Sequence, residues 1–570
     1  MTGRQSEKTE WMTTAERFLL QGDFKAMRAC AREILARNLD DMDGLALLAE
    51  ASLYLGEVDA AVRLVHRIKA SAPQNLRALL AESILAAGKY RLEREITLLE
   101  QLWSLGMARA EEELPVYERG VLERGGCRLA DAYYLLAEPE KAARMMFALS
   151  GFMTEPVRKA ELYSKALFMT NYYSLAASRS LTLHEGYNAF FGAKVTLPHK
   201  EREEGERKLR IGYISPDFRE HAVANFLSPF LQEYSKLDFT VYCYMTGQAD
   251  EVTKRFRRFA VAWRDIRGLG AQEAARRIYE DHIDILVDFS GHSQDSCLPV
   301  LAYRPAPIQL SGIGYVNTTG LHEVDYFISD ACCMPPGEKA HGFTEQIARL
   351  PHSHLCYAPE LLHRLPAPGT VPPAQSNGFV TFGSFNNFAK VSDETLLLWR
   401  AVLEQVPRAR LVIKGKIASI PDGRNRVLER FRDFGIDGSR LELRPYSPDY
   451  LEQYRDIDIA LDTAPYTGGL TTCEALVMGV PVVSLRGTTH GSRFGASILE
   501  NAGVSELVAE SEMEYVNKAV QIARTPSILA QFHAGLREAL LHSRLMDSAG
   551  YMREIEQLYR QLWQMYCRQR

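Results

Sequence analysis

Through its first hundred residues the chain sets apolar positions three and four apart, the spacing of short amphipathic helices. A glycine, charged, apolar step returns at Gly22-Asp23-Phe24, Gly56-Glu57-Val58 and Gly88-Lys89-Tyr90. These glycines stand 34 and then 32 residues apart, close to the period of about 34 of helix-turn-helix units that bury their faces only by stacking on one another. The pattern predicts tetratricopeptide-like (TPR-like) helical repeats over residues 1–95 and a helical connector without a clear repeat over 96–206, closed by the charged run His199 to Lys208.

Past that run the periodicity changes. Short β-rich segments alternate with helical ones: Leu209 to Ser215, Thr240 to Met245, Ile283 to Ser290 and Pro307 to Gly314. Such alternation predicts βαβ units on a parallel sheet. A proline-rich stretch, Leu365 to Pro373, precedes a second series: Phe379 to Phe385, Arg410 to Gly415, Arg440 to Tyr446, Asp458 to Asp462 and Pro481 to Leu485. The two series predict two doubly wound α/β lobes, 207–373 and 374–545, and then a C-terminal helix within 546–570. In that helix, read over about Met552 to Cys567, Ile555, Leu558, Tyr559, Leu562, Trp563 and Tyr566 form one apolar stripe. The stripe must pack on something, and the first lobe is the expected partner.

Composition narrows the class. With 570 residues the chain is too long for one core, and 46% apolar with 24% charged residues is a globular balance. The 67 Lys plus Arg against 72 Asp plus Glu leave a net charge of −5, no electrostatic footprint for nucleic acid or anionic membrane. The longest apolar stretches, such as Ala475 to Leu485, fall short of the roughly 18 residues of a membrane span. The polar first ten residues suggest no signal peptide. Nine scattered cysteines without a C-x-x-C pair fit a reducing, cytoplasmic setting.

Doubly wound lobes bind ligands outside the carboxyl ends of their strands, so residues just after strands carry the candidate chemistry. Neither lobe has a G-x-G-x-x-G or G-x-x-x-x-G-K-[ST] loop, which disfavours dinucleotide enzymes and P-loop NTPases. The segment Leu461 to Leu476 (LDTAPYTGGLTTCEAL) reads strand, glycine turn, helix. Gly468 and Gly469 permit a tight turn, and Thr471 and Thr472 sit at a helix N-terminus, where a diphosphate is favoured. Glu474, one turn in, is a candidate ribose ligand, although Thr471 as a plain helix cap explains the same residues. Lys390 follows the first strand of the second lobe in Phe385-Asn386-Asn387-Phe388-Ala389-Lys390. In the first lobe His221 and His292 each follow a strand and are acid/base or phosphate-binding candidates.

Taken together, Leu209 to His221 (LRIGYISPDFREH), Asp284 to Gly320, Asp325 to Pro336, Arg349 to Tyr357, Phe382 to Lys390 and Asp458 to Pro481 resemble the protein O-GlcNAc transferase and SPINDLY family of glycosyltransferases. The resemblance covers most of residues 207–545, and the helical repeats ahead of them match the family's tetratricopeptide region. It implies a GT-B fold and inverting, metal-independent transfer of a sugar from a nucleotide donor to a protein side chain. In its terms His221 matches the active-site histidine, with His292 a further acid/base candidate. Lys390 matches the lysine that neutralises the leaving diphosphate, and Thr471 and Thr472 the phosphate-binding pair. Asn387, Gly469, Glu474 and Gly314 complete the donor site, and Arg304 to Gln309 with Gly314 to Gly320 form the cleft wall.

The resemblance thus implies UDP-GlcNAc as donor, no metal or other cofactor, and a protein or peptide acceptor along the repeat groove and the inter-lobe cleft. The departures bear on the donor. Asn387 stands where animal members carry a glutamine, Leu470 where they carry a histidine, and the loop Ala464 to Gly469 is one residue longer. GDP-fucose transfer, Asn-directed glucosylation and a noncatalytic scaffold are the alternatives. Pro351-His352-Ser353-His354-Leu355-Cys356 reads as alternating metal-ligand types without a second cluster. Cys332-Cys333 reads as packed thiols, and Asp456-Ile457-Asp458 as a D-x-D at a helix-to-strand junction.

Overall fold

The computed structural model describes residues 3–109, 114–192, 196–199, 207–338, 341–359 and 365–568. Residues 200–206 of the charged run lie outside them. The chain divides into two compact units, Met1–Leu162 with Ile417–Leu428, and Tyr163–Lys416 with Glu429–Arg570.

The first unit is built of helical hairpins: Gly3–Leu20 with Phe24–Arg37, Met42–Tyr54 with Val58–Ser71, Leu76–Gly88 with Leu92–Arg109, and Val116–Leu135 with Pro139–Phe152. Asp23, Asp41 and Asn75 cap their helices by accepting first-turn N–H groups, satisfying donors that have no intrahelical partner. The turns keep a stricter period than the glycines do. Positive φ falls at Gly22, Gly56 and Tyr90, 34 residues apart each time, whereas Gly88 is the last residue of its helix. The repeat is therefore held by a backbone conformation that the third turn imposes on a tyrosine.

Stacking also runs past residue 95. A Cβ on Gly106 would lie 2.0 Å from a Leu122 methyl, one on Gly125 2.7 Å from Leu102, and one on Gly126 2.7 Å from Leu149. Helices brought this close continue the repeat unit to Leu162, and the remainder of the expected connector, from Tyr163, belongs to the second unit. Inside the first unit Arg77 pairs with Glu16 and Glu50, and Arg124 reaches Glu16 at 2.5 Å and Glu50 at 3.2 Å. Buried carboxylates are tolerable only when paired in this way.

The second unit holds two all-parallel sheets. The first comprises β1 (Leu209–Ser215), β2 (Phe239–Met245), β3 (Ala262–Asp265), β4 (Ile285–Asp288), β5 (Ile308–Ser311), β6 (Tyr326–Asp330) and β7 (Gln346–Leu350). Their order is β3-β2-β1-β4-β5-β6-β7. The second comprises β8 (Thr381–Ser384), β9 (Arg410–Lys414), β10 (Leu441–Arg444), β11 (Ile459–Leu461), β12 (Val482–Leu485) and β13 (Val508–Ala509). Their order is β10-β9-β8-β11-β12-β13. Every pairing is parallel, as in Ile211↔Val241 and Ile211↔Ile285 on the two sides of β1. This is the GT-B arrangement. Strand order reverses at β1 and at β8, so each lobe has its switch point at its first strand.

Four strands escape the sequence pattern: β3, β6, β7 and β13. Three of them, β3, β7 and β13, lie at sheet edges; β7 is half-exposed with the sequence QIARL, and β13 is two residues long. Short edge strands carry little alternation to read.

The C-terminal helix begins earlier than the stripe alone suggests, at Ser548, and runs to Arg568. It packs on the first lobe. Tyr551 meets Phe230 edge-on, Tyr559 meets Phe239, and Arg207 stacks over Trp563. Glu556 accepts the Ser235 N–H at 2.5 Å, and Arg560 donates to the carbonyls of Arg207 and Asp238. No helix among the described residues is long and apolar enough to cross a membrane.

Candidate functional site

The carboxyl ends of the two sheets face each other within the second unit. The loop after β5 meets the loop after β12, where His490 donates through Nδ1 to the Val316 carbonyl at 3.2 Å. Between them lies a cavity of about 740 Å³ lined by Val316 and Asn317 on one side and by Pro465, Tyr466 and Thr489 on the other. That volume is in the range of small-molecule sites.

On the second lobe, β11 is followed by Asp462, which is buried and accepts Thr463 N at 2.8 Å, Gly468 N at 2.7 Å, Ser484 Oγ at 2.6 Å and Asn386 Nδ2 at 3.3 Å. One carboxylate thereby shapes the whole turn 463–468. Gly468 is obligatory there, since a Cβ would lie 2.5 Å from Thr472 Oγ1 and 2.8 Å from Thr471 Oγ1. A Cβ on Gly469 would meet nothing within 4 Å, so the turn is open on that side. The helix Leu470–Val477 starts at this point and presents the N–H groups of its first turn. Thr471 Oγ1 donates to Asn386 Oδ1 at 2.9 Å.

Lys390 comes from the turn after β8. Its ammonium donates to the Thr467 carbonyl at 3.0 Å and lies 3.7 Å from the centre of the Tyr466 ring. Burial lowers its pKa to about 8, against the pull of the Asp462 charge. Lys390, the glycine turn and Thr471 are thus brought together.

The remaining candidates separate. Asn387 is exposed and accepts Ala389 N at 3.2 Å, capping a short turn of helix, while its neighbour Asn386 is the one buried in the network. Glu474 is buried, accepts the Tyr450 hydroxyl, and is raised by burial to about 7. Gly314 has no room for a side chain, because a Cβ would lie 1.9 Å from the Phe289 carbonyl.

His221, after β1, is exposed. Its Nδ1 accepts Val223 N at 3.3 Å and lies 3.4 Å from Asp217 Oδ1. Partial desolvation by the surrounding loop and then Arg219 lower its pKa. Asp217 is buried, and burial raises it to about 7; Arg219 opposes the shift, and Asp295 and Asp288 add to it. The local sequence does not mark Asp217, because the like charges that act on it, Asp288 and Asp295, stand more than 70 residues away in the chain.

His292 does not join the site. It is fully buried, Nε2 meets the Thr319 carbonyl at 2.8 Å, and Nδ1 meets Ser164 Oγ at 2.8 Å. A carbonyl only accepts, so Nε2 carries the hydrogen and Nδ1 takes the serine proton. Neither nitrogen remains for chemistry, and burial holds the ring neutral. Its expected role as acid or base gives way to a packing role among His184, Tyr187 and Tyr315.

The D-x-D is likewise structural. Asp458 accepts Thr381 N at 2.7 Å and Ala374 N at 2.9 Å, and Asp456 pairs with Arg444.

Residues 193–362 and 374–555 match the sequence family described as glycosyl transferase family 41. A probable UDP-N-acetylglucosamine–peptide N-acetylglucosaminyltransferase SPINDLY of Solanum lycopersicum is 40% identical over 399 residues, 68% of this chain and 41% of its own length. The protein of the same description from Arabidopsis thaliana is 40% identical over 377 residues, 64% of this chain and 40% of its own. The chain thus spans about two fifths of the length of these relatives. The structure of a Thermobaculum terrenum O-GlcNAc transferase point mutant matches 100% of this chain and 99% of its own, with a TM-score of 0.67 and 28% identity.

Proposed function

Because the chain belongs to glycosyl transferase family 41, we propose that it is an inverting, metal-independent protein O-glycosyltransferase that moves GlcNAc from UDP-GlcNAc to serine and threonine hydroxyls. The observation that carries this reading is the convergence of Lys390, the Gly468-Gly469 turn and Thr471 at one helix N-terminus. The acceptor oxygen attacks the anomeric carbon, the bond from that carbon to the diphosphate breaks, and its electron pair leaves with the nucleotide. The negative charge that develops there needs fixed positive partners. Lys390 and the first-turn N–H groups of the helix supply them without a divalent ion.

The acceptor proton goes to a base. With His292 sealed, His221 or a phosphate oxygen of the donor is left. Asp217 selects the state of His221: ionised, it takes a hydrogen from Nδ1 and leaves a lone pair on Nε2. Protonated, it leaves Nδ1 to accept Val223 N–H, and Nε2 then carries the hydrogen. A base of this kind is a positioned pair, His221 acting and Asp217 orienting it. The stacked hairpins of the first unit supply a surface suited to extended polypeptide, and the cavity of the second unit takes the reacting residue.

A second reading is favoured by one feature. Leu470 opens the donor-site helix with an apolar side chain, and the turn before it is long, a combination that favours a different nucleotide such as GDP-fucose. Intact-mass analysis of candidate acceptor proteins, incubated with UDP-GlcNAc, UDP-glucose or GDP-fucose without added Mg²⁺ or Mn²⁺, tests both. Gain of one N-acetylhexosamine supports the first reading and gain of one deoxyhexose the second. Transfer only after a divalent ion is restored would overturn the leaving-group assignment.

A further inference from the structure

Where the two lobes of the second unit touch, three metal-ligand side chains meet in the interior. Cys333 follows β6, His354 follows β7 and His490 follows β12, and all three are buried. Their ligand atoms lie within 4.8 Å of one another, and the two imidazole rings are 5.0 Å apart.

Each histidine has its Nδ1 engaged. His354 donates to Asp330 Oδ2 at 2.5 Å, and His490 donates to the Val316 carbonyl at 3.2 Å. Among the described residues each Nε2 is buried without a hydrogen-bond partner. A buried ring nitrogen without a partner is a cost that folded proteins rarely carry once, let alone twice side by side.

We propose that Cys333, His354 and His490 bind a transition-metal ion of the zinc class. A thiolate with two neutral imidazoles is a donor set for zinc rather than for Mg²⁺ or Ca²⁺, which take oxygen. The second shell is already built, since a metal-bound histidine ordinarily donates its other N–H to a carboxylate or a carbonyl. Asp330 is itself fixed by the N–H groups of Cys332, Cys333 and His354 and by Ser497 Oγ at 2.8 Å. Tetrahedral zinc sets its nitrogen and sulfur ligands about 3.3–3.8 Å apart, given bond lengths of about 2.0–2.3 Å, so binding draws the three groups inward by about an ångström. Water takes the fourth position.

Phe327, Phe343 and Phe494 stand around the rings, an apolar surround in which charge interactions are stronger than in water. Binding releases the thiol proton, and the ion accepts electron pairs from sulfur and both nitrogens with no change of oxidation state.

The consequence is mechanical. Cys333 and His354 belong to the first lobe and His490 to the second, so the ion ties the lobes together at one edge of the cleft. Of the string at 351–356 only His354 takes part; His352 turns away to pair with Glu554. The transfer chemistry proposed above uses none of the three ligands, so the two ideas fail separately.

The test is elemental analysis of the purified full-length chain, grown in zinc-supplemented medium, alongside Cys333→Ser and His354→Phe. We expect about one zinc per chain, since binding is coupled to the folded site, and loss of that zinc in both variants. Growth with cobalt in place of zinc adds a spectroscopic reading: the wild type should show tetrahedral cobalt bands and a sulfur-to-cobalt charge-transfer band that Cys333→Ser lacks. Circular dichroism establishes that each variant is folded; if His354→Phe is not, Cys333→Ser decides alone. A folded wild type that carries neither zinc nor cobalt, or zinc retained in a folded Cys333→Ser, would overturn the site.

Discussion

The two lobes use one device at their switch points and obtain different results from it. In the first, Asp288 ends β4 and accepts Ser290 N at 2.9 Å, Gly291 N at 2.7 Å, and across to β5 the Ser311 hydroxyl at 2.8 Å. In the second, Asp462 follows β11 and accepts Thr463 N, Gly468 N, and across to β12 the Ser484 hydroxyl. Both carboxylates are buried, and burial raises the pKa of each against these hydrogen bonds. The loops beyond the two carboxylates differ. After Asp288, Gly291 takes a φ of 52° with Tyr315 filling the space beside it, and His292 is locked. After Asp462 the turn opens at Gly469 beside Lys390. The device secures a loop; the side chains packed over that loop decide whether it becomes a wall or a binding site.

Removing Lys390 should break the comparison most severely. Lys390→Ala is expected to cost about 10²–10³ in turnover, the usual effect of deleting one fixed stabiliser of developing charge, with the thermal midpoint little changed. Turnover within a few-fold of wild type would refute the role.

The next largest contrast comes from the carboxylates themselves. Asp288→Asn and Asp462→Asn should each destabilise the fold by about 1–3 kcal/mol, since each leaves buried donors and acceptors mismatched. Only Asp462→Asn should also weaken UDP binding, by about tenfold or more, measured by calorimetry on folded protein. Equal weakening by both would mean that the first-lobe loop binds donor as well.

The smallest effects are in pH dependence. Loss of the Lys390 proton near pH 8 should lower kcat/KM on the alkaline side, and protonation of Asp217 near pH 7 should lower it on the acid side. Asp217→Asn should abolish the acid limb while leaving the alkaline one, and an unchanged profile would remove Asp217 from the site. Stability moves the other way at Lys390. Its folded pKa lies below the unfolded value, so between about 8 and 10.5 the unfolded chain holds more protons and stability rises with pH. Comparing wild type with Lys390→Met isolates that opposition.

The lobes themselves were legible in the sequence because buried parallel strands such as β1 and β9 carry short apolar runs, Ile211 to Ile214 and Leu411 to Ile413. That Lys390 and Thr471 lie beside one glycine turn was legible because both come after strands in the order a doubly wound fold demands. The choice between Asn386 and Asn387 was not, since it depends on which of two adjacent side chains turns inward at Asp462. Nor was the fate of His292, which has the same local pattern as His221 and is sealed by Ser164, 128 residues away. The zinc-class cluster draws one residue from each of three strand ends, and no linear spacing encodes it.

The C-terminal helix has a consequence in time. Phe230 and Phe239 of the first lobe are covered by Tyr551 and Tyr559, and the Ser235 N–H waits for a carboxylate 321 residues downstream. At a synthesis rate of about 5–20 residues per second, the nascent first lobe spends on the order of tens of seconds with that face bare. The lobe begun first on the ribosome is therefore completed after the second, and in the interval its apolar flank is open to a chaperone.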